Sequence, residues 1–190
     1  INSNSLYQQS KFNGEQKALA NFKNTIIIRP SVVCGVEDNF TNLFAKLSLS
    51  PVIPVVRPNY KFQPILVDDV ATAIVKAIEI KKNEGKIYEI GGPTIISFKD
   101  MVKSIITIIN KKRFIVEMPM PLAKLQATLF SLMPKPLLTR DQCEILNEAD
   151  NIVSNNHLTL KDLNIKPTDV QQAMSKWLWR FRTGGEFAKI

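Results

Sequence analysis

Thr25-Ile26-Ile27-Ile28-Arg29-Pro30-Ser31-Val32-Val33-Cys34-Gly35 is the stretch on which the fold turns. Thr25 to Ile28 is an unbroken β-branched run with no polar alternation, which reads as a parallel strand covered on both faces. Pro30 has no N–H to give a ladder and marks where that strand loses its neighbours. Before the run, Tyr7 to Phe22 reads as a helix with Tyr7, Lys11, Gly14, Glu15 and Ala18 along one side, ended at Asn24. After it, helical and strand patterns keep alternating, the signature of an α/β architecture.

Asp38 or Asn39 can cap a helix from Phe40 to Leu49, whose Phe40, Leu43, Phe44 and Leu47 share a face. Pro51, Pro54 and Pro58 forbid helix and suggest an extended, looping passage. Tyr60 to Val67 reads as a strand interrupted by Pro64. Asp68 is expected to cap the following helix, with Val70, Ala73, Ile74 and Ala77 as its buried stripe, and Asp68-Asp69 reads as a cap plus a first-turn acid rather than a metal pair. Lys86 to Ile90 is a short strand closed by the Gly91-Gly92-Pro93 turn. Ser97 opens a helix, Phe114 to Glu117 is a strand, and the chain is largely helical after Pro121. Thr139/Gln142, Thr159/Asp162 and Thr168/Gln171 each have capping-box spacing. Leu122, Leu125, Leu129, Phe130, Leu132 and Met133 are expected to pack in the core, with docking onto a membrane or partner as the alternative. Residues 1–95 read as Rossmann-type elements and 96–190 as a smaller, mostly helical lobe.

The chain has 190 residues, 45% hydrophobic and 22% charged, which suits a globular protein with a core and excludes disorder and a disulfide scaffold. Cys34 and Cys143 lack metal spacing and read as buried thiols. With His157 the only histidine, neither a zinc site nor a Ser-His-Asp triad is expected. The net charge of +8 is divided between the halves, 11 basic and 8 acidic residues over 1–95 against 14 and 9 over 96–190. No nucleic-acid partner is expected, because Lys111-Lys112-Arg113 and WLWRFR (Trp177 to Arg182) belong to no such motif. An anionic membrane surface or an acidic protein suits the charge better.

Tyr7-x-x-x-Lys11 carries the most specific chemistry. Four residues place both side chains on one helix face, one turn apart. An ammonium held there lowers the pKa of the phenol and makes it a usable general acid or base near neutrality. In order with RPSVVCG, with Phe62-Gln63-Pro64-Ile65-Leu66-Val67-Asp68-Asp69-Val70-Ala71 and with Tyr88-Glu89-Ile90-Gly91-Gly92-Pro93, this helix resembles the C-terminal half of extended short-chain dehydrogenases/reductases, the NAD-dependent epimerase/dehydratase superfamily. RPSVVCGVEDNFTNLF (Arg29 to Phe44), Phe62 to Val67, LTRDQ (Leu138 to Gln142) and WRFRTGGEF (Trp179 to Phe187) are closer to one branch, the nucleotide-binding accessory subunits of respiratory complex I and their bacterial relatives.

The resemblance implies a Rossmann-type parallel sheet with a small C-terminal lobe, and Tyr7 and Lys11 as catalytic acid/base and ribose-binding residues. It also implies that Pro30, Ser31, Val32 and Val33 line the nicotinamide of NAD or NADP. Ligands beyond the carboxyl ends of parallel strands are the physical rule for such sheets. The sequence departs from the superfamily in having no glycine-rich phosphate loop and in reading Phe62-Gln63-Pro64-Ile65-Leu66 where sugar-nucleotide enzymes commonly read R-D-F-x-H. The missing arginine removes a partner for a substrate diphosphate.

The function the resemblance implies is an accessory subunit of complex I, its dinucleotide mainly structural. It would sit peripherally on the cytoplasmic side of a bacterial inner membrane or the matrix side of a mitochondrial one. The alternative is an active NAD(P)-dependent oxidoreductase or epimerase working through Tyr7 and Lys11, and a third reading is a basic adaptor. The fold is expected to need about 120 residues before Tyr7, roughly four strand–helix units. The strand at Thr25 to Val33 would otherwise leave an apolar sheet edge open, with aggregation or poor order around residues 1–35 of this chain alone.

Overall fold

Parallel strands cannot be joined by a tight turn, so each pair needs a long crossover between its members. The computed structural model, which describes residues 3–80, 83–131, 133–134, 136–154 and 156–187, is built from such crossovers. The order is α1 (Leu6–Asn21), β1 (Ile27–Pro30), β2 (Val33–Cys34), α2 (Asn39–Leu47), β3 (Val52–Val56), β4 (Lys61–Phe62), β5 (Ile65–Leu66), α3 (Val67–Glu79), β6 (Ile87–Ile90) and β7 (Ile96–Ser97). Then follow α4 (Phe98–Ile108), β8 (Phe114–Met118), α5 (Met120–Phe130), α6 (Arg140–Asn147), α7 (Val170–Ala173) and α8 (Ser175–Leu178), with 3-10 turns at Leu160–Leu163 and Trp179–Phe181.

Pairs β1–β6, β2–β5 and β3–β8 are parallel, and β4–β7 is antiparallel. Ile27 lies opposite Ile87 and Pro30 opposite Ile90. The far side of β6 is covered by residue 158, since Glu89 N–H donates to Leu158 O and Leu158 N–H to Ile87 O. Ile27 N–H donates to Lys86 O and Ser31 N–H to Ile90 O, so Ile27, Arg29 and Ser31 face β6, while Ile28 and Pro30 face the opposite edge. Pro30 therefore costs no ladder bond. The same parity operates in β3, where Phe114 N–H donates to Pro51 O, which leaves Pro54 on the side away from β8.

Two main packed groups result. One joins β1, β5, β6 and α3 to the 160–165 turn through Ile65, Ala73, Ala77, Tyr88, Ile90, Leu160, Leu163 and Ile165. The other joins α2, β3, β4, α4, α7 and α8, with Phe40, Phe44, Phe62 and Phe98 as an aromatic knot whose ring centroids lie 5.3–5.6 Å apart. Trp177 and Phe181 close this core, and Trp177 Nε1–H donates to Thr41 Oγ1 at 3.1 Å. The first group includes 160–165 and the second includes residues from 40–62, so segments from both sides of residue 95 contribute to each packed group.

Several expectations meet their outcome here. Asp38 does cap α2, accepting from Thr41 N–H and Oγ1–H, and Thr139/Gln142 and Thr159/Asp162 do form capping boxes. The proline-rich passage is not a loop: it contains β3, because Pro54 points its missing donor outward. The strand over Tyr60–Val67 splits at Gln63-Pro64 into β4 and β5, which pair with different partners. Leu66, not Asp68, is the N-cap of α3, and Asp68 and Asp69 both lie in its first turn. Asp69 accepts from Thr168 N–H and Oγ1–H, which takes Thr168 out of its expected box and leaves Asp169 to cap α7. The clearest departure is α5, which turns Ala123 and Ala127 inward and leaves Leu122, Leu125 and Leu129 exposed, with Met133 exposed beyond it. Phe130 is half-buried, and Leu132 lies outside the described residues. Leaving three leucines wet forgoes about 1.5–3 kcal/mol each.

Two glycines give opposite tests. A Cβ on Gly92 would sit 2.1 Å from the Pro64 carbonyl oxygen, whereas one on Gly14, inside α1, would meet nothing within 4 Å. Gly92→Ala should lower the urea-unfolding free energy by about 2–3 kcal/mol, and Gly14→Ala should raise it by about 0.5–1 kcal/mol. Equal effects would show that the Gly92 turn is not packed as described.

Candidate functional site

Helix α1 reaches the carboxyl ends of β1 and β6 without burying a single residue. Polar contacts hold it. Ser5 caps it, accepting from Gln8 N–H, and donates through its own hydroxyl to Asp141 Oδ2 at 2.9 Å. Asp141 Oδ1 accepts Leu6 N–H at 2.7 Å, so an acid in the first turn of α6 also serves the positive end of α1. Glu148 Oε1 accepts from Ser3 Oγ–H and Asn4 N–H.

Arg29 fixes the other end. Its guanidinium donates to both oxygens of Glu15 on α1, the shortest contact being 2.7 Å, and to Glu89 Oε1 at 3.3 Å. His157 Nε2 lies 3.3 Å from Arg29 Nη1, and Glu89 Oε2 accepts from both the N–H and the hydroxyl of Ser154. One cation thus gathers α1, β1, β6 and His157, and through Glu89 also Ser154. The Glu15 hydrogen bonds push Arg29 up, outweighing its desolvation. For Glu89, burial pushes the carboxyl up but is outweighed by the Ser154 hydroxyl and N–H, by Arg29 and by His157, and the net shift is downward.

Beside this cluster lies a cleft of about 310 Å³ lined by Gln8, Arg29, Pro30, Ser31, Tyr60, Glu89 and residues 148–153. Ser31 Oγ–H donates to Asn151 O and accepts from Gln63 N–H. Gln63 itself donates to Gly92 O and accepts Val153 N–H, so it anchors the wall of the cleft. Tyr60 donates to Ala149 O at 3.0 Å, and burial, then Asp150, push its phenol up. That phenol is structural at neutral pH.

Of the residues singled out in the sequence, Pro30 and Ser31 meet in this cleft. Tyr7 and Lys11 lie on the next stripe of α1, both exposed, with Lys11 Nζ 5.5 Å from the centre of the Tyr7 ring. Their one-turn pairing is present, but neither lines the cleft. Val32 packs on the aromatic core; Val33 packs on the other core and lines a separate cleft with Cys34 to Phe40. Cys34 there is an inert thiol, pushed up to about 12 by burial and by Asp38. Sequence reasoning missed the Arg29–Glu15–Glu89 cluster and the bracing role of Gln63. The Arg29 signal existed in register alone, Arg29 lying opposite Glu89 in the parallel pair.

With this geometry stands the match of residues 2–182 to the model of the RmlD substrate binding domain. The chain belongs to that family. Over 97% of its length it is 29% identical to the NADH dehydrogenase [ubiquinone] 1 alpha subcomplex subunit 9 of Dictyostelium discoideum, covering 52% of that protein. The Mus musculus protein of the same name is 31% identical over 96% of the chain and 49% of its own length. The chain thus spans about half the length of the curated relatives it matches. Among solved structures it resembles dTDP-4-dehydrorhamnose reductase from Bacillus anthracis in complex with NADP, with TM-score 0.61 and 18% identity over 90% of this chain and 53% of that one. It also resembles dTDP-glucose 4,6-dehydratase from the same organism in complex with NAD, with TM-score 0.62 and 19% identity over 92% and 52%. The Rossmann-type α/β architecture is therefore the fold of this chain.

The Glu89 shift makes a pH test. A carboxyl whose folded pKa lies below its unfolded value stabilises the fold above the unfolded pKa, and that stability is lost as pH falls through the folded pKa. The melting temperature should fall on acidification below the usual carboxylate range, and Glu89→Gln should flatten part of that fall while lowering stability at pH 7. An unchanged acid profile in Glu89→Gln would remove Glu89 from the acid response.

Proposed function

We propose that the chain forms the C-terminal portion of a peripheral accessory subunit of the NADH:ubiquinone oxidoreductase complex, in which a nicotinamide dinucleotide acts mainly as a structural ligand. The observation that carries this reading is how the cleft's polar groups are used. Arg29, Glu89, Ser31, Gln63 and Tyr60 all bond to the chain's own backbone or side chains. Groups so engaged hold a surface in shape and leave little to polarise a substrate. The relatives named above, subunits of that complex along nearly the whole chain, support the same reading. Among the described residues no helix is long and apolar enough to cross a membrane; the proposed placement is peripheral, on the cytoplasmic or matrix side.

For the dinucleotide, the residues here suit one end. Pro30 and Ser31 open on the cleft at the carboxyl end of β1, and Tyr7 and Lys11 stand on the adjoining helix, where they would hold the nicotinamide ribose. The sequence has no glycine-rich loop to cradle the pyrophosphate. A bound nicotinamide supplies hydride chemistry. In the second reading, an active oxidoreductase or epimerase, Tyr7 would exchange the substrate hydroxyl proton with Lys11 beside it; the retained one-turn pairing favours that reading.

One set of measurements separates the two. The full-length protein should co-purify with the respiratory complex and melt higher with NADPH or NADH, by an amount equivalent to about 2.7 kcal/mol when ligand is at a hundred times Kd. Tyr7→Phe should leave complex association intact, and Lys11→Ala should reduce the thermal shift. Turnover of NAD(P)H with a carbonyl substrate, abolished by Tyr7→Phe, would overturn the structural-ligand reading, and absence from the purified complex would overturn the subunit reading.

A further inference from the structure

Helix α5 is built inside out. Its alanines face the core and its leucines face solvent: Leu122, Leu125 and Leu129 are 53%, 59% and 63% exposed. These positions recur at i, i+3 and i+7, so they form one stripe. The stripe is continuous with a second bare surface. Met118 ends β8 and joins Leu122, Leu125 and Leu129 in one shallow apolar depression. Along β8, Phe114 and Val116 lie on the same face of the strand as Met118, and Val52 lies opposite Phe114 in the register. All three are exposed, Phe114 by 76%, while Ile53 and Val55 on the other face are buried in the aromatic core.

The segment that carries this surface is basic in sequence: residues 111–140 contain six basic side chains against one acidic, Glu117. Of these, Lys124 pairs with Glu144 and Arg113 donates to Ser48 O. Lys111, Lys112 and Arg113 stand immediately before Phe114 at the head of β8. A protein interface of this size would be expected to carry aromatic and arginine anchors at its centre. Here the depression is lined by Met118, Leu122, Leu125 and Leu129 with Gln126 as its polar side chain, and the one aromatic of the face, Phe114, stands at the head of β8 away from that depression. An aliphatic stripe flanked by lysine and arginine is the composition that lies in the plane of a bilayer interface.

We infer that the face formed by α5 and the outward side of the β3–β8 ribbon docks on an anionic phospholipid surface, with the leucines entering the acyl boundary and the 111–113 cluster meeting headgroup phosphates. This rests on the peripheral placement proposed above for its setting, but vesicle binding and co-purification with the complex can fail separately. The full-length protein should sediment with phosphatidylcholine vesicles that contain phosphatidylglycerol, and raised salt should release it. A Leu122→Ser, Leu125→Ser, Leu129→Ser variant should lose about tenfold or more in partitioning with an unchanged circular dichroism spectrum, because the three side chains contribute little to the core. Lys111→Gln with Lys112→Gln should weaken the preference for phosphatidylglycerol. Leu125→Trp should show fluorescence quenching by brominated lipid beyond that of Trp177 and Trp179 in the parent.

No binding to either vesicle, equal binding by the serine variant, or an unquenched Trp at 125 would each overturn the inference. Equal binding to neutral vesicles would overturn its electrostatic part. If the protein ignores vesicles while the serine variant no longer associates with the respiratory complex, the face is a protein interface and the lipid assignment is wrong.

Discussion

A single guanidinium, about one-third exposed between two carboxylates, decides how the first helix meets the sheet. Helix α1 buries no residue of its own, so apolar packing cannot set its angle. Asp141 and Glu148 hold its start, and Arg29 supplies the constraint along its length, drawing Glu15 from the helix and Glu89 from the neighbouring strand onto one planar donor set. Its fork geometry matches a carboxylate through two nitrogens, which a lysine could not do. Because Glu89 is also bonded to Ser154, the position of α1 and the position of the far cleft wall depend on the same cation. The candidate site is held in shape by that cluster and by Gln63, and its floor is the carboxyl end of β1.

Around this clamp, the two packed groups share segments. The 160–165 turn, contributed by the C-terminal half, seals the β1–β6 pair, and α2 with β3, contributed by the N-terminal half, builds the core that the last helices close. Separation of the halves would expose Tyr88 and Ile90 on one side and Ile53 and Val55 on the other. The exchange makes the smaller lobe and the sheet mutually dependent. It also places the cleft where segments 29–31, 60 and 148–153 converge, each from a different stretch of chain.

Much of this was legible in residue order. The caps at Asp38, Ser97 and Thr139 and the Gly91-Gly92 turn declare themselves through local chemistry, and the structure places elements there. The β-branched run Thr25–Ile28 marks a strand too, but that strand begins at Ile27 and runs through Pro30. What escaped were features decided by facing and partner rather than by composition. Pro54 read as part of an extended, looping passage because sequence does not say which edge its nitrogen faces. Thr168 read as a cap because sequence does not reveal Asp69 waiting across the core. Leu122, Leu125 and Leu129 read as core because hydrophobicity reports what a helix could bury, not which side it turns inward. Pro30 and Ser31, singled out through the resemblance, meet in the candidate cleft, whereas Tyr7 and Lys11, singled out by spacing, stand exposed beside it. The Arg29 network that shapes the cleft depends on a strand register that no spacing rule contains.

Pro30 and Pro54 both turn their missing donors toward the outward edges of their strand pairs. A foreign strand arriving at β3 would find Val52 N–H turned to Ser50 Oγ and no N–H at Pro54. Hydrogen-bond continuity is the basis of edge-to-edge growth, and the β3 edge interrupts it at Pro54. The proline that lets β3 pair inward at no loss is thus also a gatekeeper: it limits how much of a foreign strand can be zipped onto that edge.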